Sequence, residues 1–140
     1  MTNGVEVIGV TKDYSGLRVL QDVTTHFEAG QFTSLLGPSG SGKTTLLRIV
    51  AGFVAQDAGT VRIAGGDMGG IPVWQRRIGM VFQSYALFPH MTVQQNVMFG
   101  LNRRGVRGEA ASREVARALE LLRLTGFGER RPKLLSFIRN

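Results

Sequence analysis

One stretch constrains this chain more than any other: Gly37-Pro38-Ser39-Gly40-Ser41-Gly42-Lys43-Thr44, followed by Thr45 and preceded by the apolar run Phe32 to Leu36. The spacing is G-x-x-x-x-G-K-[ST], the pattern of a phosphate-binding loop, which requires a strand before it and a helix after it. Phe32 to Leu36 is expected to be that strand. The helix is expected from Lys43 to about Ala51, burying Leu46, Leu47, Ile49 and Val50 and stopping at Gly52. Glycines at 37, 40 and 42 can take positive φ, so that successive N–H groups converge on a phosphate with no Cβ in the way. The start of the helix adds unpaired N–H groups and the positive end of its dipole. Lys43 supplies a compact charge able to reach β- and γ-phosphates, the Thr44 hydroxyl is placed to ligate Mg²⁺, and Thr45 adds a phosphate contact. The bland alternative, a glycine-rich turn at a helix start, leaves the match at every motif position unexplained. The motif alone names neither nucleotide nor reaction.

The 140 residues suffice for one domain with a core, and 43% hydrophobic content suits a globular chain. Without cysteine there is no disulfide framework and no thiolate metal site. No apolar run is long enough to span a bilayer, since Arg48 interrupts the longest candidate, around 46–55. The net charge of +7 is uneven: residues 1–100 hold seven basic and six acidic side chains, and 101–140 hold ten and four. The arginines at 103, 104, 107, 113, 117 and 123 sit in and around a helical pattern without interleaved aromatics. They read as a solvated face, and nucleic-acid binding is not expected.

Taken in order, Val5 to Val10 and Val19 to Phe27 read as an antiparallel pair of strands joined by a turn at 12–16. A short strand follows at Thr60 to Ile63, ended by Gly65-Gly66, and 67–75 reads as loop. Ile78 to Phe82 is nearly all apolar, as in a buried strand, which leaves Gln83 as the first polar group at a strand end. Thr92 and Gln95 have capping-box spacing, predicting a helix from about Val93 to Leu101. A longer helix is predicted from Glu109 or Ser112 to Leu124, with Val115, Leu119 and Leu122 on its core face. His26 reads as structural and His90 as a solvent or partner contact.

These stretches together resemble the ATP-binding subunits of ABC transporters. The segment from Ile78 to Val93 looks like the family's Q-loop region in the version typical of importers for polyamines, ferric iron or sugars. Tyr14, ahead of Val19-Leu20-Gln21-Asp22-Val23, matches the aromatic position that stacks on adenine; read by itself it is equally a turn aromatic. Leu46 to Gly52 and Gly59 to Gly65 continue the pattern, and Arg130-Arg131-Pro132 resembles the approach to the signature motif. The resemblance implies an α/β fold with a P-loop NTPase core of ABC type, an antiparallel β portion and the start of a helical subdomain, as an incomplete domain. The core is expected over 1–88 and the partial helical subdomain over 89–140. ATP and Mg²⁺ are the implied ligands, bound by Tyr14, Gly37 to Thr45 and Gln83, with Thr44 and the Gln83 amide oxygen on the metal. The implied partners are transporter membrane subunits, docking around Tyr85 to Met98, and a second ATP-binding subunit. The implied location is cytoplasmic, peripheral on the inner face of the cell membrane.

The sequence also departs from that family. Leu135-Ser136 begins the L-S-G-G-Q signature, but Phe137-Ile138-Arg139-Asn140 stands where Gly-Gly-Gln should follow. No aspartate follows Asp67 and no histidine follows His90, so the Mg²⁺-binding Asp, catalytic Glu and switch His have no counterpart, and no catalytic residue is assigned. The expectation is an amino-terminal fragment with uncovered sheet edge and apolar surface, prone to aggregate and able at most to bind ATP. The alternative is a non-hydrolysing nucleotide-binding module that docks on membrane subunits. A P-loop kinase or GTPase would need an acceptor pocket or guanine-reading residues, and neither is visible.

Overall fold

The computed structural model describes residues 4–132. Strands β1 (Val5–Tyr14) and β2 (Leu17–Phe27) form the expected antiparallel pair. Their turn is shorter than expected, only Ser15-Gly16, at φ 49° and 86°. Two left-handed residues match the right-handed strand twist, so the strands can run up to the turn itself. β1 also carries a bulge: Val7 pairs with Thr25 but Val10 with Val23, and Gly9 between them has φ 60°. The extra residue puts Val7 and Val10 on one face although they are three apart, and both are fully buried. β3 (Ala58–Ile63) pairs antiparallel with the other edge of β1, and the two-residue β4 (Gly66–Asp67) completes the order β2-β1-β3-β4.

Helix α1 (Lys43–Ala51) lays Leu46 and Ile49 on this sheet, against Val7, Val10, Leu20 and Val61. Gly52, at φ 86°, ends it as expected. Leu47, expected in the core, is half exposed, because it lies off the stripe formed by positions 46 and 49.

Two expected strands are not formed. Residues 31–38 and 77–82 belong to no ladder among the described residues. Phe32 and Leu36 are 94% and 92% exposed and Val81 is 88% exposed, while Leu35 packs on the core. An apolar run becomes a buried strand only where neighbouring strands take up its N–H and C=O groups. No described segment does so here, and both runs stay irregular.

The chain divides into two compact units between Met80 and Val81. In the second, α2 (Val93–Arg103) and α3 (Gly108–Leu121) pack on each other. The capping box is present in both directions: Gln95 N–H donates to Thr92 Oγ1 at 3.2 Å and Thr92 N–H to Gln95 Oε1 at 2.8 Å. The next N–H groups of α2 donate to backbone carbonyls, Val93 to Arg130 at 2.8 Å and Gln94 to Gly128 at 2.9 Å. Asn96 holds the preceding connector by accepting from Phe88 N–H at 2.8 Å and donating to its carbonyl at 3.2 Å. α3 starts at Gly108 with Glu109 in its first turn and buries Ala111, Val115 and Leu119; Leu122, expected on that face, caps the helix and is exposed. The six arginines expected on a solvated face are exposed. No helix among the described residues is long and apolar enough to cross a membrane. Leu135-Ser136 and the four residues after them lie outside the described residues.

Candidate functional site

The loop from Gly37 to Gly42 forms without its expected leading strand. Gly37, Gly40 and Gly42 have φ 152°, 80° and 84°, which L side chains rarely adopt. Gly42 is required for a second reason: a Cβ there would stand 2.6 Å from Leu20 Cδ2 and 2.9 Å from the Val19 carbonyl oxygen. The loop is thereby pressed against β2. Gly42 is also the N-cap of α1, with no side-chain cap and no acidic residue in the first turn. The positive end of α1 is therefore available to an anion.

Lys43 folds back over the loop. Its Nζ donates to the Gly37 carbonyl at 2.8 Å, the Pro38 carbonyl at 2.6 Å and Ser41 Oγ at 3.0 Å. All three ammonium donors are used inside the loop, which holds the charge at its centre. Ser39 to Thr45 line one cavity of about 470 Å³ together with Tyr14 and Val19. Tyr14, at the end of β1, is thus brought to the loop across the sheet. It is 43% exposed.

Tyr14 is held by a network that sequence reasoning missed. Lys12 Nζ lies 5.3 Å from the Tyr14 ring centroid and 2.8 Å from Asp57 Oδ1. Asp57 Oδ2 accepts from Asp13 N–H at 2.7 Å, and Asp57 N–H donates to the Thr11 carbonyl at 2.9 Å. The Asp13 N–H and the Lys12 ammonium hold the Asp57 carboxyl below its usual range.

Arg76 was also not singled out. Its guanidinium donates to four carbonyls: Ile49 and Val50 at 2.9 Å each, Ile71 at 2.9 Å and Met68 at 3.0 Å. The first two belong to the last turn of α1, so a cation closes the negative end of the helix that begins at the phosphate loop. Partial burial lowers its pKa from the ordinary arginine value. Arg77, next in sequence, is exposed. Only the fold distinguishes the two.

Gln83 lies in the second unit, exposed at the start of the turn 83–86. His26 pairs with Glu28 at 3.2 Å, as befits a structural residue. His90 is exposed, its ring 6.0 Å edge-on from Phe88.

A family model described as ABC transporter matches residues 20–137. The chain belongs to the ABC transporter family. It is 47% identical over 132 residues to the spermidine/putrescine import ATP-binding protein PotA of Rubrobacter xylanophilus, covering 94% of this chain and 35% of that protein. It is 44% identical over 133 residues to the sulfate/thiosulfate import ATP-binding protein CysA of Thermosynechococcus vestitus, covering 95% and 40%. Its fold matches that of the dimeric ATP-binding cassette MJ0796 in a post-hydrolysis state bound to ADP and Pi, with TM-score 0.79, 30% identity, and coverage of 92% of this chain and 62% of that one. The expected ABC-type α/β fold, represented in part, is therefore present. The chain spans little more than a third of the length of these curated relatives.

Proposed function

We propose that this chain binds ATP as the nucleotide-binding part of an ABC importer's energy-coupling subunit. The observation that carries the reading is the single cavity in which Tyr14 and the uncapped start of α1 with Lys43 come together, pairing an aromatic face with a phosphate cradle. When nucleotide enters, Lys43 exchanges its three internal acceptors for phosphate oxygens, and the loop N–H groups take up the remaining charge. Among the described residues no cluster of three or more His, Asp or Glu could hold a metal ion. A site built from the Thr44 hydroxyl and the nucleotide's own oxygens suits Mg²⁺, which binds through few protein donors and substrate phosphates. Bound there, Mg²⁺ would neutralise phosphate charge. For Gln83, a role as the amide oxygen on that metal rests on the family pattern.

Relatives named as import ATP-binding proteins support an importer context, and the dimeric state of the ATP-binding cassette with the matching fold supports a second ATP-binding subunit as partner. For docking on membrane subunits, the region from Tyr85 to Met98 offers Tyr85 and Leu87, 68% and 52% exposed on a turn whose Tyr85 and Ala86 have positive φ. Titration of the purified chain with ATP and Mg²⁺ tests the binding itself. Lys43→Ala should weaken binding at least tenfold, about the value of one charge-assisted contact. Undiminished affinity in that variant would refute the assignment.

A further inference from the structure

We propose that Lys12 and Asp57 are positioning residues for the base of the nucleotide: Asp57 fixes the Lys12 ammonium, and Lys12 fixes and polarises the Tyr14 ring on which the base stacks. The inference rests on the nucleotide-binding reading above and adds residues from outside the loop to it.

Lys12 and Tyr14 are two apart on β1, and although the β1–β2 register shifts between Lys12 and Asp13, their side chains meet. Lys12 Nζ stands over the ring, 5.3 Å from its centroid, within cation–π range. The cavity beside the phosphate loop is lined by Tyr14 and not by Lys12. Of the two residues it is thus Tyr14, 43% exposed, that meets the cavity. A cation on one side draws π density toward itself and leaves the far side better suited to an electron-rich purine. It also restricts the ring to one orientation, lowering the ordering cost of stacking.

A lysine held only by an aromatic ring would be loosely placed, and here it is not. Lys12 Nζ donates to Asp57 Oδ1 at 2.8 Å, and the lysine side chain is only 14% exposed. Asp57 is itself fixed by backbone on both sides, through the Asp13 N–H and the Thr11 carbonyl. The carboxylate just before β3 is thus tied to the segment of β1 that carries Tyr14.

The test compares two probes on the purified chain, ATP and inorganic tripolyphosphate, which shares the phosphates but has no base. Lys12→Met and Asp57→Asn should each weaken ATP about threefold to tenfold, the range of a partly exposed cation–π contact. They should leave tripolyphosphate affinity unchanged, while Lys12→Arg retains ATP affinity. In a Tyr14→Ala background Lys12→Met should have no further effect, since Lys12 acts through the ring. Equal losses for both probes, or unchanged ATP affinity in Lys12→Met, would overturn the positioning role and leave nucleotide binding intact. An unaltered chain that binds neither probe would overturn both readings.

Discussion

Replacing Gly52 with alanine tests how closely the end of α1 is built around Arg76. A Cβ at position 52 would stand 2.5 Å from Arg76 Nε and 2.8 Å from its Cζ, too close for either atom to stay. Arg76 cannot move aside without giving up hydrogen bonds to the Ile49, Val50, Met68 and Ile71 carbonyls. Gly52 also sits at φ 86°, where an L side chain costs about 1–2 kcal/mol. Displacing a partly solvated guanidinium from its carbonyls adds about 1–3 kcal/mol. Gly52→Ala should therefore destabilise the chain by about 2–5 kcal/mol. In an Arg76→Ala background only the backbone cost of about 1–2 kcal/mol should remain, giving a coupling of about 1–3 kcal/mol. Urea unfolding at submicromolar protein measures this, read by Trp74, the chain's one tryptophan, in the 3₁₀ turn Val73–Gln75 beside Arg76. Costs that add to within about 0.5 kcal/mol would refute the idea that Gly52 is small to admit Arg76.

Two further outcomes follow from the loop and its flank. Gly42→Ala should be more damaging than Gly40→Ala by about 1–3 kcal/mol, because both have positive φ but only position 42 presses on Leu20 and Val19, whereas a Cβ at 40 meets nothing within 4 Å; equal melting curves would contradict this. The exposed Phe32 and Leu36 should drive self-association of the chain at high concentration. Serine at both positions should reduce the associated fraction in sedimentation with little change in unfolding midpoint, and a parent chain that stays monomeric would refute that.

The phosphate loop, α1 and the capping box of α2 were legible because each is written within a few consecutive residues. The bulge in β1 was not, since Gly9 reads as an ordinary strand glycine until Val7 and Val10 are seen on one face. The runs at 32–36 and 78–82 misled for a complementary reason: an apolar run reports the capacity to be buried, and burial depends on partners that the run itself does not specify. Tyr14 drew attention only through its family position. Lys12, Asp57 and Arg76 drew none, because their contacts span from 2 to 45 residues and carry no periodicity. A lone charged residue at a turn is indistinguishable in sequence from its solvated neighbours.

The starts of the three α-helices show how one chain sorts anions by position. Each would attract negative charge, yet the chain guards two of them itself. The start of α2 is filled by its capping box and by the Gly128 and Arg130 carbonyls, and α3 carries Glu109 in its first turn. At α1 there is neither side-chain cap nor acid. A free phosphate meeting the described residues thus finds one helix start filled by the chain's own hydrogen bonds, one with a carboxylate in its first turn and one with neither, so selectivity for the loop comes as much from guarding the rivals as from shaping the cradle.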